Sequence, residues 1–456
     1  MVERSYPIAP DLDRTDATTC RIPVSSALCP PLRPRKLKEE LKDYSGPLQS
    51  RLSPLDFSKE VLVGLVKAVS VLFIGIHDGH WCDRVTQRWG DKVAWDLEDR
   101  LWEINAKYNA LYTENALDYG LSTPVEKVLK CLQTNPAVGN VYTMEVNLIS
   151  PNVGIATNWH CNSIPYFEKR GEEFRMWDVC WRMEQPLFQL WARSFDPGIR
   201  CTPLNLIPKL NESDPSCRWV YWLGEIKTGD PYNYVMRRKK EAEAEGTPTD
   251  LPDYRGPLHP KLGIENFCKE RVAKALVQSA RLYRILDGQW HRIVAEKYSD
   301  EEAWDMQEKV WEDAITYNSR YVMQAANIQG TPLEQCLKLL QVNPAFGILY
   351  NSTYELKNPN LGIVTTYSDP TREYFERVRG DINLSHLDGE MERQLLEKLA
   401  QKFDPRIKVK ALMAPSFGRS ADGRMPEAGA PVSLADRVYK VRTEDKPICQ
   451  WEFSIK

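Results

Sequence analysis

The 32 residues Asp78–Asn109 return without a gap as Asp287–Asn318, and 12 of the paired positions are identical. Three of the identities are tryptophans, Trp81, Trp95 and Trp102 against Trp290, Trp304 and Trp311, in a chain with 14 tryptophans among 456 residues. Three matches of so rare a side chain in one register identify an internal duplication. Its period of 209 residues is domain-sized, far beyond the roughly 20–50 residues of solenoid repeats. The chain must therefore fold as two versions of one unit, and each local signal can be read against its partner in the other half.

Each half is long enough to enclose an apolar core. Apolar residues at 42% and charged residues at 27% are ordinary for a globular protein. A net charge of -3 from 60 basic and 63 acidic side chains leaves no positive excess for nucleic acid or an anionic membrane, so neither is expected as a partner. The 11 cysteines have no regular spacing, and the opening MVERSYPIAPDLDRTD is polar and acidic, unlike a signal or transit peptide. The thiols are therefore read as reduced and the protein as cytoplasmic. The longest apolar run, 61–76, contains Lys67 and falls short of the about 20 residues of a membrane helix. Its partner run, 271–286, is amphipathic and carries arginines. A fold used twice is expected to place both in a core rather than one in lipid.

Residues 1–43 are proline-rich and then basic, an arm expected on the surface or on a protein partner. Repeat domain 1 is assigned to 44–235, a charged linker to 236–252 and repeat domain 2 to 253–456. Both repeats open on the same phrase, Asp43-Tyr-Ser-Gly-Pro-Leu48 and Asp253-Tyr-Arg-Gly-Pro-Leu258. A helix follows from near Ser58 and Cys268. The pairs Asp78-Gly79 and Asp287-Gly288 predict its stop and a turn. A short helix then carries Trp81. A longer one from near Asp91 shows Val93, Leu97, Leu101, Ile104 and Tyr108 at helical spacing. Thr123-Pro124 and Thr331-Pro332 predict the cap and first turn of a fourth helix.

Alternating β-formers then predict strands over 141–148 and 155–160, joined by a turn at Pro151-Asn152. A helix follows over 165–194, with its counterpart at 371–402, each stopped before a Phe-Asp-Pro. Final strands are predicted at 199–207, 217–223, 407–413 and 449–455. The expected fold class is α+β: two duplicated domains, each a helical N-terminal part followed by a β-β-α-β-β antiparallel sheet unit. The second carries a Gly-, Ala- and Pro-rich loop insertion at about 417–436.

No phosphate-cradling glycine loop, HExxH, CxxC or GxSxG occurs, which leaves nucleotide-binding and zincin chemistry without support. Asp96, Asp99 and Glu103 share one face of the long helix, and Asp305, Glu308 and Glu312 repeat them. A solvated face with i, i+4 pairs explains that stripe better than a metal site. Trp95 and Trp102 beside it are read first as core. Cysteines carry the sharper signal. Cys82, Cys161 and Cys180 align with His291, Asp369 and Asp388, each replacement being another ligand or acid–base group. Cys161 follows Trp159-His160 at a strand end, and Cys180 lies on the next helix. A thiolate beside His160 would be a nucleophile. Two thiolates with an imidazole would bind a soft metal. Buried cysteines serving only as small apolar groups weigh about equally. Cys217 and Cys449, which open the last strands as Cys-x-Trp, are assigned to core packing.

The chain resembles, in both halves, a bacterial and archaeal domain family related to the L-2-amino-thiazoline-4-carboxylate hydrolases. The resemblance rests on Asp78-Gly-x-Trp81, Ala94-Trp95, Cys161 at the strand end, Cys180, the Phe195-Asp-Pro197 turn and the Cys-x-Trp strands. It implies small-molecule chemistry, such as hydrolysis of a C–N bond in a cyclic substrate, in a pocket between helices and sheet. Cys161, Cys180 and His160 would be catalytic or would hold a transition metal such as zinc or iron, and Asp78, Trp81, Trp95 and Trp102 would bind substrate. The second repeat departs at Asp369 and Asp388. A non-catalytic ligand-binding or accessory subunit and a metal-binding protein stand as alternatives.

Overall fold

The computed structural model of the chain describes residues 39–209, 211, 213–224, 231–246, 248–368, 390–413 and 447–455. It is α+β, with two four-stranded antiparallel sheets of the same topology. The N-terminal arm up to residue 38, most of the helix expected at 371–402 and the insertion at 417–436 lie outside the described residues.

Repeat 1 begins with α1, Lys59–Trp89, and α2, Asp91–Leu117, followed by α3, Pro124–Thr134. Thr123 caps α3 through the backbone N–H of Glu126, and Pro124 occupies its first turn, as the Thr-Pro pair predicts. Strands β1, Thr143–Ser150, and β2, Val153–His160, form a hairpin. The next stretch is broken where one helix is predicted. It comprises α4, Ser163–Glu168, α5, Glu173–Asp178, a π-helical turn at Val179–Met183, and α6, Glu184–Arg193. Gly171, at φ +66°, makes the bend between α4 and α5. β3, Arg200–Asn205, and β4, Cys217–Trp222, complete the sheet in the order β1-β2-β4-β3. The expected linker is itself a helix, α7, Pro231–Glu245. Its Arg238 reaches the fully buried Glu126 at 2.5 Å and the Gly256 carbonyl at 2.7 Å, so this stretch is docked rather than solvated.

Repeat 2 follows with α8, Lys269–Lys297, α9, Asp300–Ala326, α10, Pro332–Val342, β5, Asn351–Asn358, and β6, Leu361–Ser368. α11, Glu390–Gln401, β7, Ile407–Met413, and β8, Cys449–Ile455, close it in the order β5-β6-β8-β7.

The Asp-Gly pairs are not helix stops. α1 passes through Asp78-Gly79 by way of a π-helical segment at Val71–Asp78, and α8 passes through Asp287-Gly288 as ordinary α-helix. The reason is tertiary: both aspartates are buried acceptors for the opposite repeat, which outweighs the local turn preference of Asp-Gly. α1 is long and apolar enough by length and composition to cross a bilayer, with a mean hydropathy of 1.9 in its most apolar window. In the fold it packs against α8 and α9, and Leu62, Val66, Val69, Leu72 and Phe73 are fully buried.

The repeats are interleaved. α1 and α2 pack on α8 and α9 as one bundle, and a single apolar cluster runs through both halves. The opening phrases cross over. Tyr254 of repeat 2 donates its backbone N–H to Leu117 O at 2.8 Å and its hydroxyl to Gln133 at 2.7 Å in repeat 1. Tyr44 of repeat 1 does the same to Ala326 O and Gln341 in repeat 2. Two fully buried lysines grip the crossing segments. Lys130 donates to the carbonyls of Tyr254 and Gly256, both at 2.8 Å, and Lys338 donates to Gly46 O. Each arm then runs past the hairpin of the other repeat, where Val146 donates to Pro260 O and Tyr354 to Ser50 O. The arrangement is that of a two-fold dimer made within one chain.

Candidate functional site

A bulge decides what the end of β2 can do: His160 stands opposite Thr143 and Asn158 opposite Met144, so Trp159 is left unpaired and the alternation slips. His160 and Trp159 are exposed, whereas Cys161, the next residue, turns under α4 to α6 and lines a cavity between those helices and the sheet. The π-helical turn after α5 places Cys180 on the same cavity, and Glu184, the first residue of α6, points into it. From below, Cys217 on β4 stands opposite Asn158 on β2, and Trp219, two residues on, faces the same way. Phe188, one turn after Glu184, packs its ring 4.7 Å from that of Trp219. The remaining wall is mostly apolar. The cavity volume is ≈ 30 Å³, where one water needs about 10–15 Å³ on this measure.

The electrostatics follow from burial without compensation. Among the described residues no counter-ion and no hydrogen bond acts on Glu184, and desolvation alone lifts its carboxyl to about 7. Burial, and then the Glu184 charge, pushes the Cys161 thiol up to about 11 and drives Cys180 and Cys217 higher still. These are protonated thiols at neutral pH, the opposite of an activated thiolate. Two further polar atoms of the wall, Asn158 Oδ1 and Trp219 Nε1, are buried with no hydrogen-bond partner.

The structure thus brings Cys161 and Cys180 together and leaves His160 outside. Among the described residues no group of three or more His, Cys, Asp and Glu side chains is arranged to hold a metal ion. The donor set Cys161, Cys180 and His160 therefore does not fit zinc or iron. The four residues expected to bind substrate lie elsewhere. Asp78 and Trp81 sit in the seam between the repeats, with the Trp81 ring stacked on Trp290. Trp102 is 2% exposed and meets Phe73 and Trp191 edge-on, and Trp95 lies under the Arg175 guanidinium at 5.7 Å. The carboxylate stripe faces outward. Asp96 pairs with Lys92, and Arg100, its expected partner, bonds to Glu296 across the seam at 2.5 Å instead.

Glu184 and Cys217 are the site residues that cysteine spacing overlooks or assigns to packing. The duplication itself holds the signal: Glu184 recurs as Glu392, Cys217 as Cys449 and Trp219 as Trp451. Cys161 and Cys180, by contrast, are replaced.

Asp83 is the shared attachment of the cavity roof, residues 163–183, to the helical bundle, and Arg175 of the roof also reaches Thr86 at 3.4 Å and Asp91 at 3.6 Å. Asp83 of α1 takes Arg175 at 2.9 Å and Arg170 at 3.6 Å, and the Tyr166 hydroxyl donates to it at 3.4 Å. No residue of α4 is buried. The position matching Asp83 in the second repeat is Arg292, so this latch belongs to repeat 1.

Comparison with family models, with curated proteins and with solved structures finds no match for this chain.

Proposed function

We propose that this protein binds a small organic molecule in the cavity of its first repeat. One observation carries the reading: among the described residues Glu184 faces that cavity with no hydrogen bond and no counter-ion, beside Asn158 Oδ1 and Trp219 Nε1, which are buried without a hydrogen-bond partner. A buried polar group without a partner costs about 1–3 kcal/mol. Two of them on one cavity wall, with the Glu184 carboxyl beside them, are what a ligand's polar groups would relieve. The test is a fragment screen read by thermal shift together with intact-mass alkylation of Cys161. A fragment that raises the melting temperature and shields Cys161 is the expected result. If no fragment shields Cys161, the cavity is not a binding site.

A second reading, a hydrolase-like reaction on the C–N bond of a cyclic substrate, is favoured by Cys161 standing in the same cavity as Glu184. Cys161 Sγ would attack the ring carbon, its proton passing to Glu184 and then to the leaving nitrogen. Water would next cleave the carbon–sulfur bond and restore the thiol. His160 has no part in this scheme, because it lies outside the cavity. Incubation with cyclic C–N compounds, followed by mass spectrometry of the Cys161 peptide, checks it. Turnover that survives Cys161→Ala would remove it.

A further inference from the structure

Resting on the reading of this cavity as a ligand site, we infer that its ligand is a compact primary amine, held as the ammonium ion between Glu184 and Asn158. The Glu184 carboxyl and Asn158 Oδ1 are both acceptors lacking donors, and an ammonium group carries three donors and the opposite charge. Trp219 Nε1, a donor, has only the Cys217 sulfur beside it, a weak acceptor. An anionic ligand would meet the Glu184 charge in a desolvated site with no cation to offset it. A hydroxyl would supply one donor where two acceptors wait. Among the described residues no Lys, Arg or His lines the cavity to compete for the carboxylate.

Size narrows the class further. At ≈ 30 Å³ the cavity admits a polar head and a few carbons. The wall around them is apolar and aromatic, with Phe167, Phe188 and Trp219 presenting rings, a surface that favours a cation with a short hydrocarbon body.

The carboxyl also sets the pH dependence. Burial raises Glu184 to about 7, so its charge appears as pH rises from 6 to 8, while an alkylammonium stays charged over that range. The other titratable groups facing it are Cys161 and Cys180 from the roof side, Cys217 from β4 and Tyr142 before β1. Burial pushes all of these upward, so they stay neutral throughout. Ammonium binding should therefore strengthen by roughly tenfold between pH 6 and 8.

Isopropylammonium, propan-2-ol and acetate have the same number of heavy atoms and differ in charge and donors. Their binding to the full chain is to be measured by calorimetry and by protection of Cys161 from alkylation. The expected result is isopropylammonium at least tenfold tighter than the alcohol, with no acetate binding, and a preference that grows towards pH 8 and disappears in Glu184→Gln. Should Glu184→Gln fail to fold, the pH series on the wild-type chain decides alone. Alcohol binding within tenfold of the ammonium, acetate binding, or a preference unchanged by pH and by Glu184→Gln, overturns the ammonium assignment and leaves the cavity as a ligand site. If none of the three protects Cys161, the ammonium assignment also falls. The fragment screen then judges separately whether the cavity binds anything.

Discussion

Trp81 and Trp290 stack with ring centroids 5.9 Å apart and planes 4° from parallel, and each donates its indole N–H to the aspartate three residues before the other. The Asp-Gly-x-Trp phrase recurs because each copy completes the other. The exchange is symmetric in geometry and unequal in charge. Asp287 also accepts from His77 at 2.8 Å and Gln307 at 2.7 Å and has Arg284 nearby. Against the upward push of burial, these hold it at about 2. Asp78 has the carboxyl of Glu98 nearby where Asp287 has the Gln307 amide, and burial lifts it to about 7.

The same substitution in the two copies should therefore act in opposite directions. Asp287 is depressed in the folded state, so its stabilisation is complete above about pH 4 and is lost as pH falls towards 2. Asp287→Asn should cost about 3–5 kcal/mol at pH 7, because an amide offers one acceptor where the buried carboxylate takes His77 and Trp81 on one oxygen and Gln307 and Trp311 on the other. Asp78 is raised, so its favourable contribution is complete below about pH 4 and is lost as pH rises through 7. Asp78→Asn should stabilise the protein at pH 8 by on the order of 2–4 kcal/mol, with little effect near pH 4. Chemical denaturation of both variants at pH 4, 7 and 8 checks the pair. Equal effects at pH 8 would refute the asymmetry.

Lys130 and Lys338 should be the strongest single attachments of the crossing arms. Lys130→Met keeps the stem and removes the bonds to Tyr254 O, Gly256 O and Ser122. It also removes one of two cations beside the buried Glu126. A loss of about 2–4 kcal/mol is expected. Hydrogen exchange should accelerate at Tyr254 and His259 before it does in the sheets. Uniform acceleration across the chain would mean the arm is not a separate attachment.

The roof latch can be read without a ligand. Asp83→Ala removes the shared acceptor of Arg175, Arg170 and Tyr166. Because these groups are partly solvated, the stability cost should stay within about 1 kcal/mol. Alkylation of Cys161 and Cys180 should nevertheless speed up several-fold. Unchanged thiol protection would show that the roof is held elsewhere.

At pH 7 the wild-type Cys161 thiol, held near 11, should alkylate roughly a hundredfold more slowly than an unperturbed cysteine. A fast Cys161 that disappears in Cys161→Ser would restore the thiolate nucleophile and displace Glu184 from the centre of the site.

Local signals in the chain were enough for the duplication, the α+β class and the elements whose caps and period-two patterns depend only on neighbours. Thr123-Pro124 starts its helix, and the strands Ile407–Met413 and Cys449–Ile455 stand where alternation puts them. Those features arise from interactions a few residues long, which a sequence displays directly. Tertiary structure decided the rest. Asp78-Gly79 reads as a stop until Trp290, 212 residues away, supplies the donor that makes a buried helical aspartate worth keeping. His160 reads as the partner of Cys161 until a bulge ends β2 with His160 exposed and Cys161 under the helices. Glu184 reads as one acid among many until β4 and the π-helical turn enclose it with three thiols and no cation. Burial and the absence of a counter-charge are properties of the surroundings, and those come from segments that only the fold brings together.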